Sequence, residues 1–193
     1  MRSNAAPGPD GLNAEFYKSS WEWTGKDVVN LVTDFYNNNY LHPDINKTYI
    51  AMIPKVNNPN TPRDYRPISL CNVVYKIIAK SLVDRIKFHL PHIIHPSQSA
   101  FIKGRHIASN IIIAQEIIHS FNLKNWKHKA FLLKVDLAKA FDRIEWRFII
   151  AALSRQGFSD KFIDLIYKCI STTSLSVLIN GQPGPIFHPS RGI

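Results

Sequence analysis

The stretch FLLKVDLAKAFDRIEW, residues 131 to 146, limits the possible folds more than any other part of the chain. Phe131 to Leu137 is an apolar run of strand length, built from residue types that suit a pleated, buried surface. It carries an aspartate near its end, a residue depleted in such places. An unpaired carboxylate inside a core is very costly. A buried strand here therefore requires that Asp136 collect several hydrogen bonds or hold a cation. The second aspartate has a simpler account, because Asp142 with Glu145 three residues on has the form of a helix N-cap and its capping-box acid.

The chain that houses this strand is 193 residues long, enough for one substantial core and short for two domains. Its 45% hydrophobic and 20% charged residues are ordinary for a globular protein, with no biased tract. No apolar run approaches the roughly 18 residues of a membrane span, and MRSNAAPGPDGLN lacks the apolar segment of a secretory signal. Cys71 and Cys169 lie far apart, which argues against a disulfide framework and a cysteine zinc site. The expectation is an intracellular, reducing compartment and no membrane.

Charge is unevenly placed. Residues 47 to 134 hold 14 Lys and Arg against 3 Asp and Glu, so this segment carries the whole net charge of +10 and slightly more. Such a localised field is the footprint of a surface that neutralises phosphates, or else of a well-solvated face without a partner.

Periodicity predicts alternating helices and short strands, without internal repeats. Leu12 to Tyr17 reads as a short helix, and a second begins at Thr24 and ends in the Asn37, Asn38, Asn39 cluster. Thr48 to Ile53 and RPISL read as strands joined through PKVNNPNTPRDY, a hairpin with a long basic tip. Asn72 stands where it can cap a long amphipathic helix with Val74, Ile77, Ile78, Leu82 and Ile86 on one face. Further helices are expected over about 106 to 121, over 143 to 155 before Gly157, and after Ser159. Leu175, Val177 and Ile179 alternate toward Asn180-Gly181, a strong hairpin signal.

His89, His92 and His95 are spaced by three, but Pro91 interrupts them and no cysteine or carboxylate is near, so complementing a helix C-terminus fits them better than zinc. The chain has no Gly-x-Ser-x-Gly elbow, Walker loop or dinucleotide fingerprint.

Four blocks in series carry a resemblance. APGPDGLNAEFYK (6 to 18), IPKVNNPNTPRDYRPISLCNVVYKIIAKSLVDRI (53 to 86), SQSAFIKGRHIASNI (97 to 111) and FLLKVDLAKAFDRIEW resemble, in their order, the reverse transcriptase of LINE-type, non-LTR retrotransposons, especially those of plants. Group II intron reverse transcriptases are the nearest rival, disfavoured by the RPISL block and its long helix. The resemblance implies an α+β right-hand polymerase fold. Residues 1 to about 128 would be fingers and about 129 to 193 the first part of the palm.

It also implies roles. Asp136, with the Leu137 backbone carbonyl, would hold Mg2+ (or Mn2+) in the complete enzyme, as suits a hard cation that prefers oxygen; an Asp bonded to backbone amides is the alternative. Phe141 matches a steric gate against the ribose 2′-hydroxyl, or else is a core Phe. The backbone at Lys139 and Ala140 would lie beside the triphosphate, and Arg66 would grip it with Lys55 as a companion, or else Lys55 is a solvated surface lysine. Lys103 and Arg105 would face the template phosphates. RNA template, DNA primer and deoxyribonucleoside triphosphates are the implied partners. The chain reaches HPSRGI where such enzymes continue with Gln-Gly-Asp-Pro-Leu-Ser, and it contains no Tyr-x-Asp-Asp. The expectation is a fragment that binds RNA and is inactive alone, lacking the rest of the palm and the thumb, or a non-catalytic RNA-binding remnant.

Overall fold

The computed structural model describes residues 1–123 and 131–193. They form two compact units, one of Met1–Leu82 with Phe141–Ile193 and one of Val83–Ala140. The described residues are mixed α and β, with one sheet, which lies in the first unit.

The first unit opens with α1 (Ala14–Ser19), capped by the Asn13 side chain on the Phe16 N–H at 2.9 Å. Helix α2 (Trp21–Asn38) follows from Ser20, so it starts three residues before Thr24, where the sequence had placed it. Asn39 ends it in the left-handed conformation at φ 51°, as an Asn cluster allows. Strands β1 (Lys47–Pro54) and β2 (Tyr65–Cys71) pair antiparallel, giving the expected hairpin. Helix α3 (Val73–Lys87) begins after Asn72, whose side chain works elsewhere: Oδ1 accepts from the Asp10 N–H at 3.2 Å and Nδ2 donates to the Asp44 and Ile45 carbonyls. Gly8 approaches Asn72 so closely that a Cβ there would meet its Oδ1 at 2.3 Å, which is why the Pro-Gly-Pro-Asp-Gly turn lies against this asparagine.

Further along this unit come α6 (Ala140–Arg143), which begins on the last residue of the second unit, then α7 (Trp146–Arg155), α8 (Asp160–Ser171), β3 (Ser174–Ile179) and β4 (Gln182–Pro183). The sequence predicted one helix from Arg143 to Arg155 capped by Asp142. Instead Asp142 lies within α6, and Glu145, extended at ψ 135°, is the N-cap of α7. The Asn180-Gly181 turn is formed as expected, with φ 51° and 79° at its two residues.

The sheet order is β2-β1-β3-β4. β3 runs parallel to β1, with Thr48 opposite Leu175 and Ile50 opposite Val177, a pairing across more than a hundred residues that no local pattern announces. The core of this unit gathers Phe35, Leu41, Ile78, Leu82, Leu165 and Cys169 from α2, α3, α8 and the loop before β1. Burial pushes the Cys169 thiol up to about 12, and it also raises Tyr75, whose hydroxyl donates to the Cys169 carbonyl at 3.0 Å. Buried Asn46 ties the start of β1 to the end of α8, donating to the Cys169 carbonyl at 2.8 Å and to Thr172 Oγ1 at 2.9 Å. Both cysteines are free.

The second unit holds the end of α3, α4 (Leu90–Ile93), a loop and α5 (Ile107–Leu123), whose isoleucines at 107, 111, 112, 113, 117 and 118 are exposed. Here the strand expected at Phe131 to Leu137 is absent: these residues carry no ladder and all are exposed. Asp136 is therefore not the buried carboxylate that the apolar run suggested. A strand cannot satisfy its own backbone, and a run without hydrogen-bonded neighbours stays irregular whatever its composition.

Candidate functional site

The residues expected to act fall into groups that the two units hold separately. In the first unit, Arg66 of β2 stands opposite Ile53, and the ladder continues by one step as the Lys55 N–H donates to the Asp64 carbonyl at 2.7 Å. Side chains alternate along a strand, so Lys55 and Arg66 occupy diagonal positions on one face of the hairpin. Arg66 is exposed, and among the described residues its guanidinium has no hydrogen-bond partner. Lys55 Nζ donates to the Arg63 carbonyl at 3.1 Å.

The hairpin tip is shaped by a residue that sequence reasoning passed over. Asp64 accepts from the Thr61 N–H at 2.8 Å, the Asn60 N–H at 3.1 Å and the Thr61 hydroxyl at 3.0 Å, closing a capping box around a 3-10 turn at Pro62–Asp64. Those bonds, the Thr61 amide first, hold its carboxyl below the ordinary carboxylate range, and Lys55 adds to the effect. The signal was in the sequence as Thr-Pro-Arg-Asp, a capping box with proline at its first turn.

Phe141 is exposed at the start of α6. Its carbonyl accepts from the Ile193 N–H at 3.2 Å, the Gly192 N–H donates to the Ile144 carbonyl at 2.8 Å, and Trp146 Nε1 donates to the Gly192 carbonyl at 2.7 Å. A Cβ on Gly192 would come within 3.1 Å of the Asp142 carbonyl oxygen, and its φ is 85°, so glycine alone fits this docking. Beside it an open groove of about 910 Å³ is lined by Trp146, Arg147, Ile150, Tyr167 and Arg191, with the Trp146 and Tyr167 rings edge-on at 6.4 Å.

In the second unit, Lys103 and Arg105 share the loop between α4 and α5. Lys103 is exposed. Arg105 turns inward: Nη1 donates to the His95 and Gln98 carbonyls at 2.7 and 2.8 Å, and Nη2 to the Ile94 and Pro91 carbonyls at 3.0 and 3.1 Å. Four of the five guanidinium N–H groups are thereby committed to backbone. Asn110 adds bonds to the Ser97 carbonyl at 2.8 Å and Ser99 Oγ at 3.2 Å.

Asp136, Leu137 and Lys139 follow in the same unit, all exposed, Lys139 with a left-handed φ of 53° and Ala140 opening α6. A magnesium ion takes about six oxygens. Asp136 and the Leu137 carbonyl give two protein donors, and among the described residues no group of three His, Cys, Asp or Glu side chains is placed to hold a metal. The donor set of the described residues does not complete a Mg2+ or Mn2+ site.

Residues 53–190 match the family described as reverse transcriptase (RNA-dependent DNA polymerase). Over 180 residues, 93% of the chain, the sequence is 31% identical to the transposon TX1 uncharacterized 149 kDa protein of Xenopus laevis, covering 14% of that protein. It is 24% identical over 190 residues, 98% of the chain, to the Pol polyprotein from type-2 retrotransposable element R2DM of Drosophila melanogaster, covering 17% of it. A putative COX1/OXI3 intron 2 protein of Saccharomyces cerevisiae matches at 30% over 150 residues, 75% of the chain and 17% of that protein. The chain thus spans between 14% and 17% of the length of these relatives.

Proposed function

The chain belongs to the reverse transcriptase (RNA-dependent DNA polymerase) family, within its non-LTR retrotransposon relatives, and from that premise we propose that it supplies the nucleotide-gripping and template-facing parts of a right-hand polymerase that copies RNA into DNA. In this reading residues 1 to about 128 act as fingers and about 129 to 193 as the first part of the palm. The observation that carries it is the β1–β2 hairpin, which holds Arg66, exposed and without a hydrogen-bond partner among the described residues, beside Lys55 on a tip fixed by Asp64.

A planar guanidinium suits two phosphate oxygens at once, and a rigid hairpin keeps it from folding back on the protein. Arg66 grips the triphosphate of an incoming deoxyribonucleotide, Lys55 adds charge, and the backbone at Lys139 and Ala140 lies beside the phosphates. Phe141 excludes the ribose 2′-hydroxyl by bulk. Lys103 contacts template phosphates, while Arg105, its fork taken up by carbonyls, contributes positive charge and holds the loop. Asp136 and the Leu137 carbonyl are the share of a Mg2+ or Mn2+ site that this chain brings; remaining ligands come from outside the described residues. Phosphate contacts of this kind position a strand without reading its sequence.

The purified chain should bind single-stranded RNA with little sequence preference and lose affinity steeply as salt rises, given 14 cations against 3 acids over residues 47 to 134. Template-primed DNA synthesis by the chain alone, with magnesium or manganese, should be absent. Synthesis that vanishes in Asp136→Ala would show that the chain assembles a complete site, and salt-insensitive RNA binding would remove the basic surface from the account.

A further inference from the structure

Phe101 is the most exposed large apolar side chain among the described residues, at 89%, and its backbone sits at φ 63°, a conformation that a bulky L residue adopts only at a cost. The next residue, Ile102, is buried. The loop therefore turns one apolar side chain in and holds the other out. Its underside is closed: Arg105 bonds four carbonyls, Asn110 bonds Ser97 and Ser99, and His95 Nδ1 meets Ser97 Oγ at 2.8 Å. An aromatic ring on so many polar anchors is presented rather than left loose.

What surrounds the ring selects its partner. Lys103 is exposed two residues away, and no acidic residue occurs anywhere between Asp84 and Glu116. An exposed aromatic two residues from an exposed cation, in a stretch of chain without acids, matches the combination that binds single-stranded nucleic acid: the ring stacks on a base and the cation meets the adjoining phosphate. Stacking tolerates any base, as a copying enzyme requires of its template contacts.

We propose that Phe101 is a stacking platform for an unpaired base of the RNA template strand, with Lys103 on its phosphate and Arg105 acting as a positioning residue that holds the loop beneath both. This rests on the template-facing reading above and adds to it a residue and a mode of contact.

The test uses the whole chain and a short single-stranded RNA carrying one fluorescent adenine analogue. Phe101 and a Phe101→Trp variant should quench the analogue and bind alike. Phe101→Leu should lose the quenching and bind roughly tenfold more weakly, with the salt slope unchanged. Lys103→Ala should reduce that slope by about one charge. The decisive variant is Phe101→Gly, because glycine is at ease at positive φ: amide protection of the loop should hold or rise while RNA affinity falls. Leu binding as tightly as Phe would make the site a hydrophobic contact for protein and overturn the proposal, as would a Gly variant that loses loop protection and binding together. If the unaltered chain binds no RNA, the template-facing reading falls and this one with it. If RNA is bound with steep salt dependence but no Phe101 variant weakens it, the stacking role alone is refuted.

Discussion

Two basic loops of this protein are built on opposite charges. At the β1–β2 tip an anion, Asp64, gathers backbone N–H groups; between α4 and α5 a cation, Arg105, gathers backbone carbonyls. The consequence for the cations nearby differs. The carboxylate organises its loop and leaves Arg66 unpartnered among the described residues, whereas the second loop spends its own arginine on architecture and leaves Lys103 as the exposed cation. A basic motif therefore does not say which of its charges face a ligand; the direction in which the backbone amides point decides that.

The comparison breaks most visibly at Arg105. Arg105→Lys keeps the charge but cannot bridge four carbonyls, so the segment from Pro91 to Gly104 should open more readily by about 2 kcal/mol, a fraction of the gross strength of four largely exposed charge-assisted bonds. Hydrogen exchange at the Gln98 and Ser97 amides measures it, and protection equal to the unaltered chain would mean the four bonds add little. Arg66→Ala should leave the hairpin folded. In an enzyme that contains this domain it should raise the nucleotide KM roughly tenfold with template affinity unchanged, the loss of one two-oxygen phosphate contact. A fall in template affinity alone would move Arg66 to the other partner. Phe141→Ala in the same enzyme should raise ribonucleotide incorporation several-fold relative to deoxyribonucleotide, about 1 kcal/mol of lost steric exclusion; an unchanged ratio in primer extension would return Phe141 to a packing role.

The smallest effect sharpens the contrast through pH. Folding lowers the Asp64 carboxyl below its unfolded value, so its contribution is complete above the ordinary carboxylate range and fades as pH falls through the lowered folded value. Thr61 amide exchange should accelerate on acidification in the unaltered chain, beyond the intrinsic pH dependence, and show no such step in Asp64→Asn. The Arg105 loop, clamped through backbone carbonyls, should lack this step.

Legibility from sequence followed the range of the interactions. The β1–β2 hairpin, α3, α5 and the Asn180-Gly181 turn were all readable, because periodicity, caps and turn residues act within a few positions of one another. The split between α6 and α7 was misjudged because Asp142 and Glu145 both suit an N-cap, and only the docking of Gly192 on Phe141 to Ile144 bends the chain between them. The inward turn of Arg105 was likewise hidden, since its four carbonyls lie 7 to 14 residues away and leave no mark on composition.

Phe131 to Leu137 marks the boundary most sharply against β1. Both are apolar runs of strand length. β1 has β2 on one side, supplied by its own hairpin, and β3 on the other, supplied from the far end of the chain; the 131–137 run has no ladder at all. The sequence by itself determined the family, the location of the basic field, the β1–β2 hairpin, α3, α5 and the Asn180-Gly181 turn, because each is written in neighbouring residues. The parallel β1–β3 pairing, the exposure of Asp136 and of Arg66 and the outward turn of Phe101 were decided only by tertiary structure, because a hydrogen-bonding group is satisfied by whatever reaches it in space, and that partner can lie anywhere in the chain.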